Sequence, residues 1–100
     1  MTFALLLGGA ACAGPSPRLV SVDASPAGAG YRVVAEIAND GAGEGEVQVT
    51  LRLRARGRDV RFEKEERLEL EPHGQKKVAT EIPAPPGEYV AEAEVEYPVR

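Results

Sequence analysis

One cysteine and one histidine, Cys12 in "GGAACAG" and His73 in "EPHGQ", are the chain's only thiol and its only base that titrates near neutral pH. Nucleophilic catalysis needs such a pair within hydrogen-bond reach. They lie about 60 residues apart, with His73 at the tip of a predicted turn, where it is solvated. A zinc centre takes about three or four Cys, His or carboxylate ligands, and one of each does not supply them. Asn39, Asp40, Glu44 and Glu46 bracket a Gly-rich segment, and calcium favours such oxygen donors. Their spacing matches no calcium loop, and Asn-Asp-Gly is ordinary turn chemistry. "GAGEG" (41–45) lacks the Lys and the strand-to-helix setting of a phosphate-binding loop. These residues form no acid–base constellation, so neither an enzyme nor a cofactor is expected.

The remaining chemistry is charge. Arg52, Arg54, Arg56, Arg58 and Arg61 fall close together, and Glu88, Glu92, Glu94 and Glu96 cluster near the end of the chain. The net charge of −4 disfavours nucleic acid and anionic lipid as electrostatic partners, because phosphate neutralisation needs a basic surface. The chain has 100 residues, 43% hydrophobic and 28% charged, with five aromatics. That is room for one globular domain whose core must be built from Val, Leu, Ile and Ala. A lone Cys excludes an internal disulfide.

From Arg18 onward the apolar residues alternate, which is the strand period. The pattern predicts strands over 18–23, 31–38, 46–54, 59–63, 67–71, 75–82 and 88–97, with turns at 25–30, 39–45, 55–58, 72–74 and 83–87. The clearest is 46–54, where Val47, Val49, Leu51 and Leu53 take one face and Gln48, Thr50, Arg52 and Arg54 the other. In 18–23, Leu19 is expected beside Ser21, and Val20 beside Val22. A single helical turn near Lys64 to Arg67 is the one rival to strand. About seven short strands with polar turns point to an all-β, two-sheet antiparallel sandwich.

The opening differs from the rest. "FALLLGGAA" (3–11) is far too short for the ~18–20 residues that span a bilayer. It has the apolar middle and small-residue end of an export signal but not the basic start, which an upstream start codon would supply. It resembles the end of a bacterial lipoprotein signal, whose box reads Leu-small-small-Cys; here the box is Gly9, Ala10, Ala11 and Cys12, with Gly in place of Leu. The resemblance implies that residues 1–11 are removed or disordered and that Cys12 carries lipid. Residues 12–17, small and Pro-rich, then form a tether, and 18–100 the domain. Several acyl chains on one Cys give stable membrane anchoring.

Three further features line up: Asn39-Asp40-Gly41 after the second strand, the Pro72-His73-Gly74 turn, and "PGEY" (86–89) before the last strand. Together they resemble the bacterial immunoglobulin-like modules of the CARDB type, from which the chain departs by ending at "YPVR" without a further strand. Either 18–23 completes that sheet or one edge is open. The resemblance implies a sandwich in which Tyr89 packs at a sheet corner with its hydroxyl bonded back to the backbone. It also makes 46–54 and 88–97 neighbours, so that Arg52 and Arg54 face Glu92, Glu94 and Glu96 in a cross-strand ladder. The function expected is a non-catalytic envelope lipoprotein domain that holds a protein or glycan partner. Arg52, Arg54, Arg56, Arg58, Asn39 and Asp40 are its possible partner surface; oligomeric state is left open. The alternative is a soluble binder like the BsuPI-type proteinase inhibitors, which also end in a "P-G-x-Y" strand and would work through 39–45.

Overall fold

Where alternation is strict, the backbone is extended. A computed structural model of the chain describes residues 14–99. Among them are six strands: β1 (Pro17–Ala27), β2 (Gly30–Asn39), β3 (Gly45–Ala55), β4 (Arg61–Leu70), β5 (Gln75–Pro83) and β6 (Tyr89–Glu96). They form two antiparallel three-stranded sheets, ordered β1-β2-β5 and β4-β3-β6. The chain enters at Gly14 at one end, here the entry end. The 39–45 and 70–75 connections and the close of β6 share it, while the turns at 27–30, 55–61 and 83–89 form the far end.

One core joins the sheets. Val33, Ala35 and Ile37 from β2 meet Val47, Val49, Leu51 and Leu53 from β3, each fully buried. Burying each Val, Leu or Ile side chain contributes about 1.5–3 kcal/mol. β2 and β3 are the central strands, which is why their alternation is the cleanest: each has a partner on both sides and a sheet over its inner face.

Three expectations change. The separate strands predicted at 59–63 and 67–71 are one strand, β4, paired with β3 from Arg61 to Leu70, so there are six strands and no helical turn at 64–67. Helix-forming Glu and Lys are carried into a strand by continuous pairing with β3, as tertiary context overrides propensity. β1 runs on to Ala27 through Pro26, which an edge strand tolerates. Its register shifts between Leu19 and Ser21, so Leu19 faces Ile37 and Val22 faces Ala35. This bulge puts Leu19 and Val22 on the same inner face, against simple alternation.

The expected tether is also different. From Gly14 the chain lies against the entry end: Pro15 is buried, the Ser16 amide donates to Asn39 and its carbonyl accepts from the Asp40 amide at 3.0 Å. Gly14 to Ser16, expected as spacer, therefore belong to the domain. Residues 1–13, including Cys12 and its box, lie outside the described residues.

Two glycines separate backbone freedom from backbone crowding. Gly28 opens the β1–β2 turn with φ 56°, and a Cβ there meets open space. Gly30 is different: a Cβ would sit 2.1 Å from the Ile82 carbonyl oxygen on β5. Gly30→Ala is expected to push β2 from β5 and cost about 2–3 kcal/mol, whereas Gly28→Ala costs about 1 kcal/mol of left-handed strain. Urea midpoints of the two variants check this order; equal losses would contradict it.

Candidate functional site

The entry end is organised by one side chain. Asn39, expected on a partner surface, is 2% exposed. Its Oδ1 accepts from the Ser16 amide at 2.8 Å and the Gly41 amide at 2.9 Å. Its Nδ2 donates to the carbonyls of Gly43 and Glu71, both at 2.8 Å. Two donors and two lone pairs are the whole capacity of an amide, so Asn39 has nothing left to offer a ligand. Asp40, beside it, is exposed and paired with Arg18 at 2.8 Å. The Arg18 hydrogen bond, helped by the charges of Arg18 and His73, holds the Asp40 carboxyl below its ordinary value. His73 takes φ 53° at the 70–75 turn, and its amide donates to the Gly41 carbonyl.

The outer face of the second sheet carries the arginine ladder. Arg52 on β3 lies between Glu63 on β4 and Glu92 on β6. Its guanidinium reaches Glu63 at 2.7 Å, Glu94 at 3.3 Å and Glu92 at 3.5 Å, and its side chain is only 12% exposed. The Glu63 hydrogen bond leads in raising its pKa above the ordinary arginine value. Arg54 reaches Glu92 at 2.9 Å. That bond lowers the Glu92 carboxyl first, and Arg52 adds to it. Exposed pairs contribute about 0.2–1 kcal/mol each. The arrangement of Arg52 and Arg54 with Glu92 and Glu94 is the expected one, but Glu96, expected in the same ladder, stands opposite Gln48 instead, beyond the reach of that pairing. Glu63 is an added partner, hidden in the sequence by the apparent break in β4.

Arg56 and Arg58 belong elsewhere, on the far-end turn after β3. They line a shallow cleft with Pro85, Pro86 and Glu88, and the Arg56 amide donates to the Glu88 carbonyl at 3.0 Å. Tyrosines brace this end. The Tyr89 hydroxyl donates to the Pro85 carbonyl at 2.6 Å, the backbone bond expected of it. Tyr31, which the sequence did not single out, donates to the Gly87 carbonyl at 3.0 Å and accepts from its amide at 3.1 Å. The Tyr31 and Tyr89 rings meet edge-on at 5.1 Å, with Phe62 behind at 6.1 Å. The six residues expected to share a partner surface are thus divided between the entry end, one sheet face and the far end.

What remains open is backbone. Each sheet has two edge strands, and unpaired main chain is a template for further pairing. β1 is blunted by Pro17, Pro26 and its bulge. β4 carries Lys64 and Glu66 opposite the buried Leu51 and Val49, which puts charge on its inner side. β5 ends in Pro83, and Lys76 reaches across to the Glu69 carbonyl at 2.7 Å. β6 has no proline and no bulge, and its inner residues Ala91, Ala93 and Val95 are only half-buried. Beside it, on β1, Leu19 faces inward yet is 36% exposed, and Val20 is 42% exposed. Among the described residues no cluster of three or more His, Cys, Asp or Glu could hold a metal ion. Comparison with family models, curated proteins and solved structures finds no match for the chain.

Two outcomes follow from these contacts. Asn39→Ala orphans buried amides and carbonyls on three segments and is expected to cost about 3 kcal/mol in urea unfolding; Asn39→Asp, which keeps acceptors but aims charge at two carbonyls, does not rescue it. A loss under about 1 kcal/mol would contradict this role. Asp40 and Glu92 titrate below their ordinary values of 3.8 and 4.5. Their stabilisation is therefore complete above those values and is lost as pH falls through the lower folded ones. Arg54→Met is expected to flatten the acid limb of a stability–pH curve, as is high salt; an unchanged limb would exclude the ladder as its cause.

Proposed function

We propose that the chain is a non-catalytic interaction module of the bacterial cell envelope, anchored by lipid on Cys12, whose domain is immunoglobulin-like. The strand order supports the fold reading. β1-β2-β5 and β4-β3-β6 correspond to the A-B-E and C′-C-F orders of immunoglobulin-like sandwiches. The landmarks at Asn39-Asp40-Gly41 and 86–89, with the Tyr89 backbone bond, agree with the CARDB-type resemblance. Fold alone does not give function.

The observation that carries the interaction reading is the unblunted β6 edge beside the incompletely covered inner face of β1. Prolines, bulges and inward-pointing charges keep sheets apart; β6 has none of these, its glutamates lying on outward positions, and its main chain is suited to strand addition. The inhibitor-like alternative relies on a projecting 39–45 loop. Asn39 draws that loop onto the entry end instead, which favours the module. Cys12 precedes the entry end by a short step of chain, so an anchor there stands the domain on that end. Strands of up to 11 residues then hold the Arg56–Arg58 turn about 35 Å away from it.

The test is processing at Cys12. The gene, expressed with its upstream region in a Gram-negative host, is expected to yield a chain beginning at Cys12. It should be heavier by diacylglycerol and an acyl group, and should partition into detergent. Cys12→Ala should stay in the aqueous phase. An unprocessed, soluble chain with a free thiol would refute the anchor.

A further inference from the structure

We propose that β6 receives an extended polypeptide of alternating apolar and basic residues, added as a further strand to the β4-β3-β6 sheet. This rests on the reading of the domain as an interaction module and names the chemistry of its partner. Main-chain pairing commits the partner to a polypeptide, and the two faces of β6 set its side chains.

On the inner face the small residues Ala91 and Ala93, with Val95, pack against the core and are only half-buried. β1 approaches β6 along this flank, and its Leu19, which faces inward opposite Ile37, is still 36% exposed. Apolar residues at alternate positions of an incoming strand would cover all four, since strand side chains alternate between faces.

On the outer face β6 presents Glu92, Glu94 and Glu96 in a row. Arg52 and Arg54 engage Glu92, and Arg52 alone reaches Glu94. The Glu94 side chain remains 62% exposed. Glu96 stands opposite Gln48, which carries no charge. Negative charge is therefore left over on the side where a new strand would lie, and Lys or Arg at its outward positions would meet it.

The same row argues against the β6 of a second copy. Antiparallel β6–β6 pairing sets glutamate against glutamate, and like charges directly opposite are destabilising. Pairing β6 with another copy's β4 would bring it to a mixed outer row of Arg61, Glu63, Glu65, Arg67 and Glu69, so the charge argument bears on β6–β6 pairing alone. The acidic row thus disfavours β6–β6 pairing while admitting a basic segment, which is how attraction and repulsion together give specificity.

The probe is a synthetic peptide alternating valine and lysine, with one alternating valine and glutamate as control. It is added to the full chain, kept in detergent if lipidated, and amide hydrogen exchange is followed. The Val/Lys peptide is expected to slow exchange along Tyr89–Glu96 about tenfold while β4 and β5 stay unchanged. The double charge reversal Glu94→Lys with Glu96→Lys, both at exposed positions, should transfer the preference to the Val/Glu peptide. Protection at β4 or β5 instead, equal response to both peptides, or concentration-dependent β6 protection without peptide would each overturn the proposal. A chain lipidated at Cys12 whose β6 ignores the peptide loses this inference and keeps the anchor. A chain unprocessed at Cys12 whose β6 responds loses the anchor and keeps this inference.

Discussion

Four hydrogen bonds from the Asn39 amide close the entry end of this domain. Two connections cross between the sheets there, β2 to β3 and β4 to β5, and the chain also enters there. Each brings backbone amides and carbonyls to the end of an apolar core, where an unpaired group costs free energy. One side chain supplies partners to Ser16, Gly41, Gly43 and Glu71, and so joins three segments that have no strand register in common. Around it the backbone adds its own bonds, from Asn39 to Gly74 at 2.8 Å and from His73 to Gly41 at 3.0 Å. The Gly-rich 39–45 segment, which reads as loose, is held at both of these points.

With that end closed, the two flanks of the sandwich are finished differently. Where β4 meets β5, Lys64, Glu66 and Lys76 put charge at the margin, and Lys76 ties β5 to β4. Where β1 meets β6, the inner residues are apolar and small, and their cover is incomplete. The Arg52 ladder stiffens the sheet from outside by engaging carboxylates on both neighbouring strands. It lets β6 carry a row of glutamates without strong repulsion. A strand that is firmly attached on one side and unpaired on the other is the physical basis of the interaction reading.

The sequence was most legible where a residue's environment follows from its neighbours in the chain. Val47, Val49, Leu51 and Leu53 alternate without exception because β3 is central and covered. Arg52 and Arg54 could be set against Glu92 and Glu94 because the outward positions of β3 and β6 both alternate. Tyr89, next to a Pro-Pro-Gly turn, could be given its backbone bond. Legibility ended where distant segments decide the outcome. Lys64 to Arg67 have the composition of a helix turn, and only continuous pairing with β3 makes them strand. The bulge that turns Leu19 and Val22 to one face leaves no local mark. Asn39 reads as a turn residue, since nothing nearby announces Ser16 and Glu71 as its partners. Gly14 to Ser16 read as spacer, though Pro15 is buried.

Native-state amide hydrogen exchange on the unliganded chain tests the central claim most directly: an entry end locked by Asn39 together with a β6 flank left open. The account predicts strand-like protection for the loop amides of Ser16, Gly41 and His73, with amides on the unpaired side of β6 exchanging near the rate of free chain. Rapid exchange at Gly41 and Ser16, or uniform protection along Tyr89–Glu96 in the monomer, would contradict it.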